Sequence, residues 1–182
     1  MNNKVTERIV EYPEGQEPNL IIPEEYKAYR YVIGKTGNNP LVAICMNPSA
    51  ARDNTSDSTV NRIIKISKKL NNDGWIVVNT YPERATEAKN MDDFNEDLMN
   101  MNVQAIEKII KKYGIKEVYG AWGDLEFRHL KEGKTAILKM LKKHKVKVFY
   151  FGSLTQLRNP RHPLQTRVKR QISKDHKNYL DF

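Results

Sequence analysis

Four places in this 182-residue chain put a residue able to do chemistry directly after a short apolar run. Asn47 follows Leu41-Val-Ala-Ile-Cys-Met46 and precedes Pro48, which pushes Asn47 into an extended conformation and ends the run sharply. Its amide either projects a donor and an acceptor into a crevice, together with Pro48 and Ser49, or serves an ordinary Asn-Pro turn. Asn79 closes Trp75-Ile-Val-Val-Asn79. One amide there can form a bidentate pair with the edge of a nucleobase, or it can cap the strand. Trp122-Gly123-Asp124 ends a third run, with Trp122 suited to core packing, Gly123 to close backbone approach and Asp124 either to a helix cap or to facing the pocket. After the fourth run, Val146 to Phe151, comes a loop holding Arg158, Arg161 and His162. His129, His144 and His176 read as surface residues. This is a set suited to binding a base and its phosphate. Single Cys45 excludes a disulfide framework, an all-cysteine zinc site and a cysteine-ligated iron–sulfur cluster, so no metal or cofactor is expected.

The elements that must hold these residues follow from hydrophobic period. The four apolar runs predict buried strands, and Tyr26 to Ile33 predicts a further strand at an edge. Val60, Ile63, Ile64, Ser67 and Leu70 share a helical face that Asp57 or Ser58 can cap. Phe94, Leu98, Met101, Ala105, Ile106, Ile109 and Tyr113 form a longer stripe, stopped by Gly114. A third helix is expected from about Gly133 to His144, and a basic one from roughly Leu164 to Lys177. Residues 1–25, with Pro13, Pro18 and Pro23 among glutamates, predict an extended arm. Residues 26–182 then form one α/β domain, a three-layer αβα sandwich on a mostly parallel sheet of four to five strands. In such folds ligands bind beyond the carboxyl ends of the strands, where the residues above collect.

Charge adds a direction. The chain carries 31 Lys and Arg against 22 Asp and Glu, a net +9. Residues 1–25 hold two basic and six acidic side chains, whereas residues 128–178 hold 15 basic and two acidic. Such a segment suits a polyanionic partner, or forms a solvated lysine-rich surface. No apolar run approaches the roughly 18 residues of a membrane span, and the first ten residues are too polar for a signal peptide, so a cytoplasmic protein is expected.

Asn47-Pro48, Asn79, Trp122-Gly123 and His162-Pro163, in this order, resemble the motifs of the uracil-DNA glycosylase superfamily. More closely, the chain resembles a bacterial and viral family of unknown function. That resemblance rests on Met46–Ser49, Asp57-Ser58-Thr59 with Arg62, Val77–Asn79, Arg84–Thr86, Ala121–Gly123 and Pro160–Leu164, and spans about residues 28–170.

The glycosylase resemblance implies roles. Asn47 would position the hydrolytic water, Asn79 would read a flipped base, and His162 would stabilise charge developing on the departing base. Asn47 in place of an aspartate cannot act as a general base, which implies slow turnover. The aromatic residue that stacks on the base has no counterpart between Ala50 and Thr59, and Tyr81 is the candidate substitute for that role. Arg62, Arg158, Arg161 and Arg167 would hold phosphates. Asp57, Thr59, Arg62, Arg84 and Thr86 belong to the unknown-function pattern, where Arg, hydroxyls and a carboxylate suit the phosphate and ribose of a free nucleotide as well. Asp57 as a helix cap and Arg84 as an ion pair are their structural alternatives. The expected function is recognition of a nucleobase or nucleotide, with hydrolysis of an N-glycosidic bond as the enzymatic form. The alternative is a binder that sequesters a free or cyclic nucleotide-derived signal, as a viral anti-defence protein would.

Overall fold

A computed structural model describes residues 9–85, 87–165 and 172–182. The order is β1 (Ile9–Val10), β2 (Leu20–Ile22), β3 (Val32–Lys35), β4 (Pro40–Cys45), β5 (Ser56–Asp57), α1 (Ser58–Lys69), β6 (Gly74–Asn79), α2 (Glu96–Lys112), β7 (Glu117–Gly120), α3 (Arg128–Lys143), β8 (Lys147–Phe151) and β9 (Lys177–Tyr179). The fold class is α/β. One sheet runs β2-β3-β6-β4-β7-β8-β9, and β1 pairs separately with β5.

The four apolar runs form the centre of this sheet. Strands β6, β4, β7 and β8 pair in parallel, as continuous apolar runs buried on both faces should. The sheet nevertheless differs from expectation: it is mixed and has seven strands, because β2 and β3 on one side and β9 on the other join antiparallel. Val32–Lys35 is not at the edge, since β2 covers it. Of the helix expected from Leu164 to Lys177, residues 166–171 lie outside the described residues; at its far end Lys174–His176 form a single 3-10 turn and Lys177 opens β9, which lies along Phe149–Phe151.

Burial on each face explains the layers. On one face Val60, Ile63, Ile64 and Ile66 of α1 cover Leu41, Ala43, Trp75, Val77 and Tyr119. On the other, Ile106, Ile109 and Ile110 of α2 with Leu130, Ile137 and Leu141 of α3 cover Val42, Ile44, Ile76, Val78, Val118 and Val148. The Asp57 carboxylate caps α1 by accepting the Val60 N–H at 2.8 Å, and Asn95 caps α2 by accepting that of Leu98. Gly114, at φ +58, turns the chain from α2 toward β7. Among the described residues no helix is long and apolar enough to cross a membrane.

Candidate functional site

The carboxyl ends of β4 and β6 are tied together by one residue. The Thr80 N–H donates to the Cys45 and Met46 carbonyls at 2.9 and 3.0 Å, and its hydroxyl donates to the latter at 2.6 Å. Just before this knot, Asn79 pairs in register with Cys45. Strand alternation puts its side chain on the face of Trp75 and Val77, toward α1. Asn79 is only 1% exposed, and its Oδ1 is buried without a hydrogen-bond partner. Its backbone carbonyl is already taken by the Asn102 amide at 2.9 Å.

Asn47 lies on the loop after β4. Its amide nitrogen donates to the Ala85 carbonyl at 2.7 Å and the Pro48 carbonyl at 3.2 Å, and the Ala85 N–H returns a bond to Pro48. The nitrogen therefore joins two loops, leaving Oδ1 as the acceptor free for other work. Ser49, next on this loop, has a buried hydroxyl oxygen without a partner. Arg84 donates to the Ser49 and Ala51 carbonyls at 2.9 and 3.2 Å, so its role here is a carbonyl clasp rather than an ion pair. Arg30, invisible to the sequence argument, approaches the same loop from the segment before β3 and donates to the Ala51 carbonyl at 2.5 Å. Its only sequence signal was a charge inside Tyr29-Arg-Tyr-Val-Ile33.

His162 meets α1 across 103 residues of chain: its Nε2 lies 3.5 Å from the Thr59 hydroxyl. The Leu164 N–H donates to Nδ1 at 3.4 Å. With Nδ1 accepting, the neutral ring carries its proton on Nε2, facing Thr59. Burial holds the imidazole in that neutral form, pulling its pKa down to about 4. His162 is thus a neutral donor across the neutral pH range. Gly123, at φ +71, lies against the His162 backbone, where a Cβ would come 3.4 Å from that of His162.

A polar network shapes the His162 loop. Asn159 accepts from the Trp122 indole at 3.2 Å and from Lys134 at 3.1 Å, and donates to the Asp124 carboxylate at 3.0 Å. The same carboxylate accepts from the Thr155 hydroxyl at 2.5 Å. Asp124 is therefore not a helix cap; α3 starts after Phe127, which makes no side-chain cap bond. Replacing Asn159 by Ala strands the buried Trp122 N–H, and we expect a loss of about 1–3 kcal/mol in urea unfolding. An unchanged midpoint would show that the network contributes nothing to stability.

The remaining sequence candidates scatter. Trp122 is core, and Tyr81 is wholly buried between Phe94 and His129, with its hydroxyl accepting the Asn95 N–H at 3.0 Å. Stacking on a base would require that ring to be uncovered. His129 is buried rather than at the surface because Tyr81 and Phe127 pack on it. Arg62 is half-buried on α1, and its charge is felt at the Tyr119 hydroxyl. Arg158 is exposed, while Arg161 folds back onto the Ser153 and Leu154 carbonyls. Thr86 and Arg167 lie outside the described residues. A cleft of about 320 Å³ opens at these strand ends between Met46, Phe127 and Leu130, rimmed by Asp124, Glu87 and Lys89. Asn47, Asn79 and His162 are not among its walls.

A family model described as "Protein of unknown function (DUF1643)" matches residues 30–164, well over half of the chain. The chain belongs to the DUF1643 family. The matched span opens on Arg30 and closes on Leu164, so it encloses Asn47, Asn79, Arg84 and the His162 loop. It is the unknown-function family expected from the motifs. No curated protein and no solved structure matches the chain.

Proposed function

We propose that the strand-end residues Asn47, Asn79 and His162 recognise a nucleobase or nucleotide in a uracil-DNA-glycosylase-like fold, and that the reaction they carry is hydrolysis of the N-glycosidic bond of a modified or mismatched base. The observation that carries this reading is Asn79, a buried strand-end amide whose carbonyl oxygen has no partner. An unsatisfied buried acceptor costs about 1–3 kcal/mol, and the donor edge of a base would satisfy it. His162, neutral and protonated on Nε2, suits donation to a base oxygen as negative charge develops there. Asn47 Oδ1 can orient a water but cannot take its proton, so the rate would rest on leaving-group stabilisation.

One observation favours a binder without chemistry: the Asn47 nitrogen is committed to holding two loops together. In that reading the same residues sequester a nucleotide-derived ligand. Incubation with duplexes carrying uracil, mismatches or modified bases, read as abasic-site formation, separates the two. The enzyme reading expects release that falls about tenfold to a hundredfold in Asn79→Ala, the range of one bidentate base contact. No release from any duplex, but nucleotide binding that Asn79→Ala weakens, would leave the binder. Failure of both ends the base-recognition proposal.

A further inference from the structure

The least expected group in the core is the Arg30 guanidinium. It is 2% exposed, has no carboxylate within ion-pair distance among the described residues, and makes one hydrogen bond, to a backbone carbonyl. Arg84 donates to the same Ala51 carbonyl, so two guanidinium groups converge on one oxygen. Both Nε–H groups are buried and unpartnered, and so is the Ser49 hydroxyl on the same loop. Burying one unpaired charge is costly, and bringing two of like sign together adds to the cost. Burial, reinforced by the Arg84 charge, pulls the Arg30 pKa down to about 10. Asp57 offsets part of this charge from a distance, with its carboxylate bonded to the Val60 N–H.

We infer that Arg30, Arg84 and Ser49 form an anion subsite that takes the terminal phosphate of a small ligand. Two guanidiniums and a hydroxyl supply the forked donors that phosphate oxygens accept, and a phosphate monoester carries close to two negative charges at neutral pH. The burial of Arg30 selects a group at which a ligand ends, because a diester must enter and leave along an open groove. The neighbouring cavity is lined by Tyr26, Arg52 and Arg84 together with Glu24, Glu25 and Asp53, a mixed lining rather than the continuous basic track that a polyanion follows. Tyr26 is 65% exposed with the Arg52 and Arg84 guanidiniums 5.1 and 4.6 Å from its ring centre, so Arg84 is held at the boundary between this cavity and the buried Arg30. The subsite shares the Asn47–Ala51 loop with the proposed base-recognising residues but does not depend on base recognition.

Titration with inorganic phosphate, with nucleoside 5′-monophosphates and with a dinucleotide diester, at ionic strength matched by chloride, tests this by calorimetry and thermal shift. Saturable binding of phosphate and the monophosphates is expected, with the diester at least tenfold weaker. Arg84→Gln, at a half-buried position, is expected to weaken phosphate about tenfold or more. Arg30→Lys provides a second variant that keeps the charge but loses the fork, and a loss of binding with the far-ultraviolet spectrum retained supports the same conclusion. Phosphate that shifts the melting temperature no more than chloride, equal binding by Arg84→Gln, or a diester that binds as well as the monoester would each overturn the inference. The bases of the nucleoside monophosphates separate the two proposals. If phosphate still binds while the bases are not distinguished even by wild type, base recognition fails and the anion subsite stands.

Discussion

Gly133→Ala should destabilise the protein by about 2–3 kcal/mol, the upper part of the range for forcing extra volume into a packed interior. Helix propensity alone predicts the opposite sign, since Ala in place of Gly within a helix gains about 1 kcal/mol. Contact decides the matter. A Cβ on Gly133 would meet the carbonyl carbon of Thr80 at 2.9 Å and its oxygen closer still, and the obstacle is backbone rather than a flexible side chain. Either α3 lifts from the sheet or the chain after β6 shifts. The second route displaces Thr80 and Tyr81, which together make three hydrogen bonds to the Met46 carbonyl, and with them the neighbouring Asn79. Thermal unfolding should show a drop of about 5–10 °C for a domain of this size. Glu132→Ala, one residue away and exposed, should stay within about 0.5 kcal/mol of wild type. Equal or higher stability for Gly133→Ala would mean that the close approach of helix and strand end does not hold in solution.

Acid should destabilise the protein through His162. The folded pKa of about 4 lies below the ordinary value of 6.5, so between these pH values the unfolded chain holds the extra proton. Stability then rises with pH across that window: the contribution is complete above about 6.5 and is lost as pH falls through about 4. At roughly 1.4 kcal/mol per pH unit the ceiling is about 3 kcal/mol, reduced by whatever water reaches the ring. Glu107 titrates lower, held at about 2 by its hydrogen bonds from Lys111 and His144, so its loss begins only near the ordinary carboxylate range. Urea unfolding at pH 7 and pH 4.5 should show wild type losing much of this amount and His162→Gln losing far less. Parallel pH profiles for the two proteins would mean that the imidazole is solvated.

The parts legible in the sequence were those whose burial leaves a periodic trace. Val60, Ile63 and Ile64 marked α1, and four apolar runs marked the parallel strands within one or two residues of their ends. The edge strands left no trace: Lys177-Asn-Tyr179 is three residues of polar and aromatic character, and pairing with β8 rather than composition makes it a strand. Leu20–Ile22 is apolar but sits among prolines and glutamates, and it becomes a strand because β3 offers an open antiparallel edge. At the site, the strand-end positions of Asn47 and Asn79 and the loop position of His162 followed from the apolar runs, whereas the contact of His162 with Thr59 did not, because it joins residues 103 positions apart. Arg30 did not, because a charge beside tyrosines reads as a surface residue until two loops are seen to close over it. Asn159 was equally hidden, since its four-way network joins residues far apart in the chain.

Cys45 gives the sheet a built-in clock. The thiol is the chain's only one and lies buried beside Asn79 at the end of the central strand, under α1. A thiol reagent reaches it only when that layer opens, so the labelling rate measures the opening equilibrium at the candidate site without an engineered probe. Any ligand that binds only the closed form must slow that clock in proportion to its occupancy. The chain can thus be screened for its natural ligand by chemical protection alone, before any reaction is known.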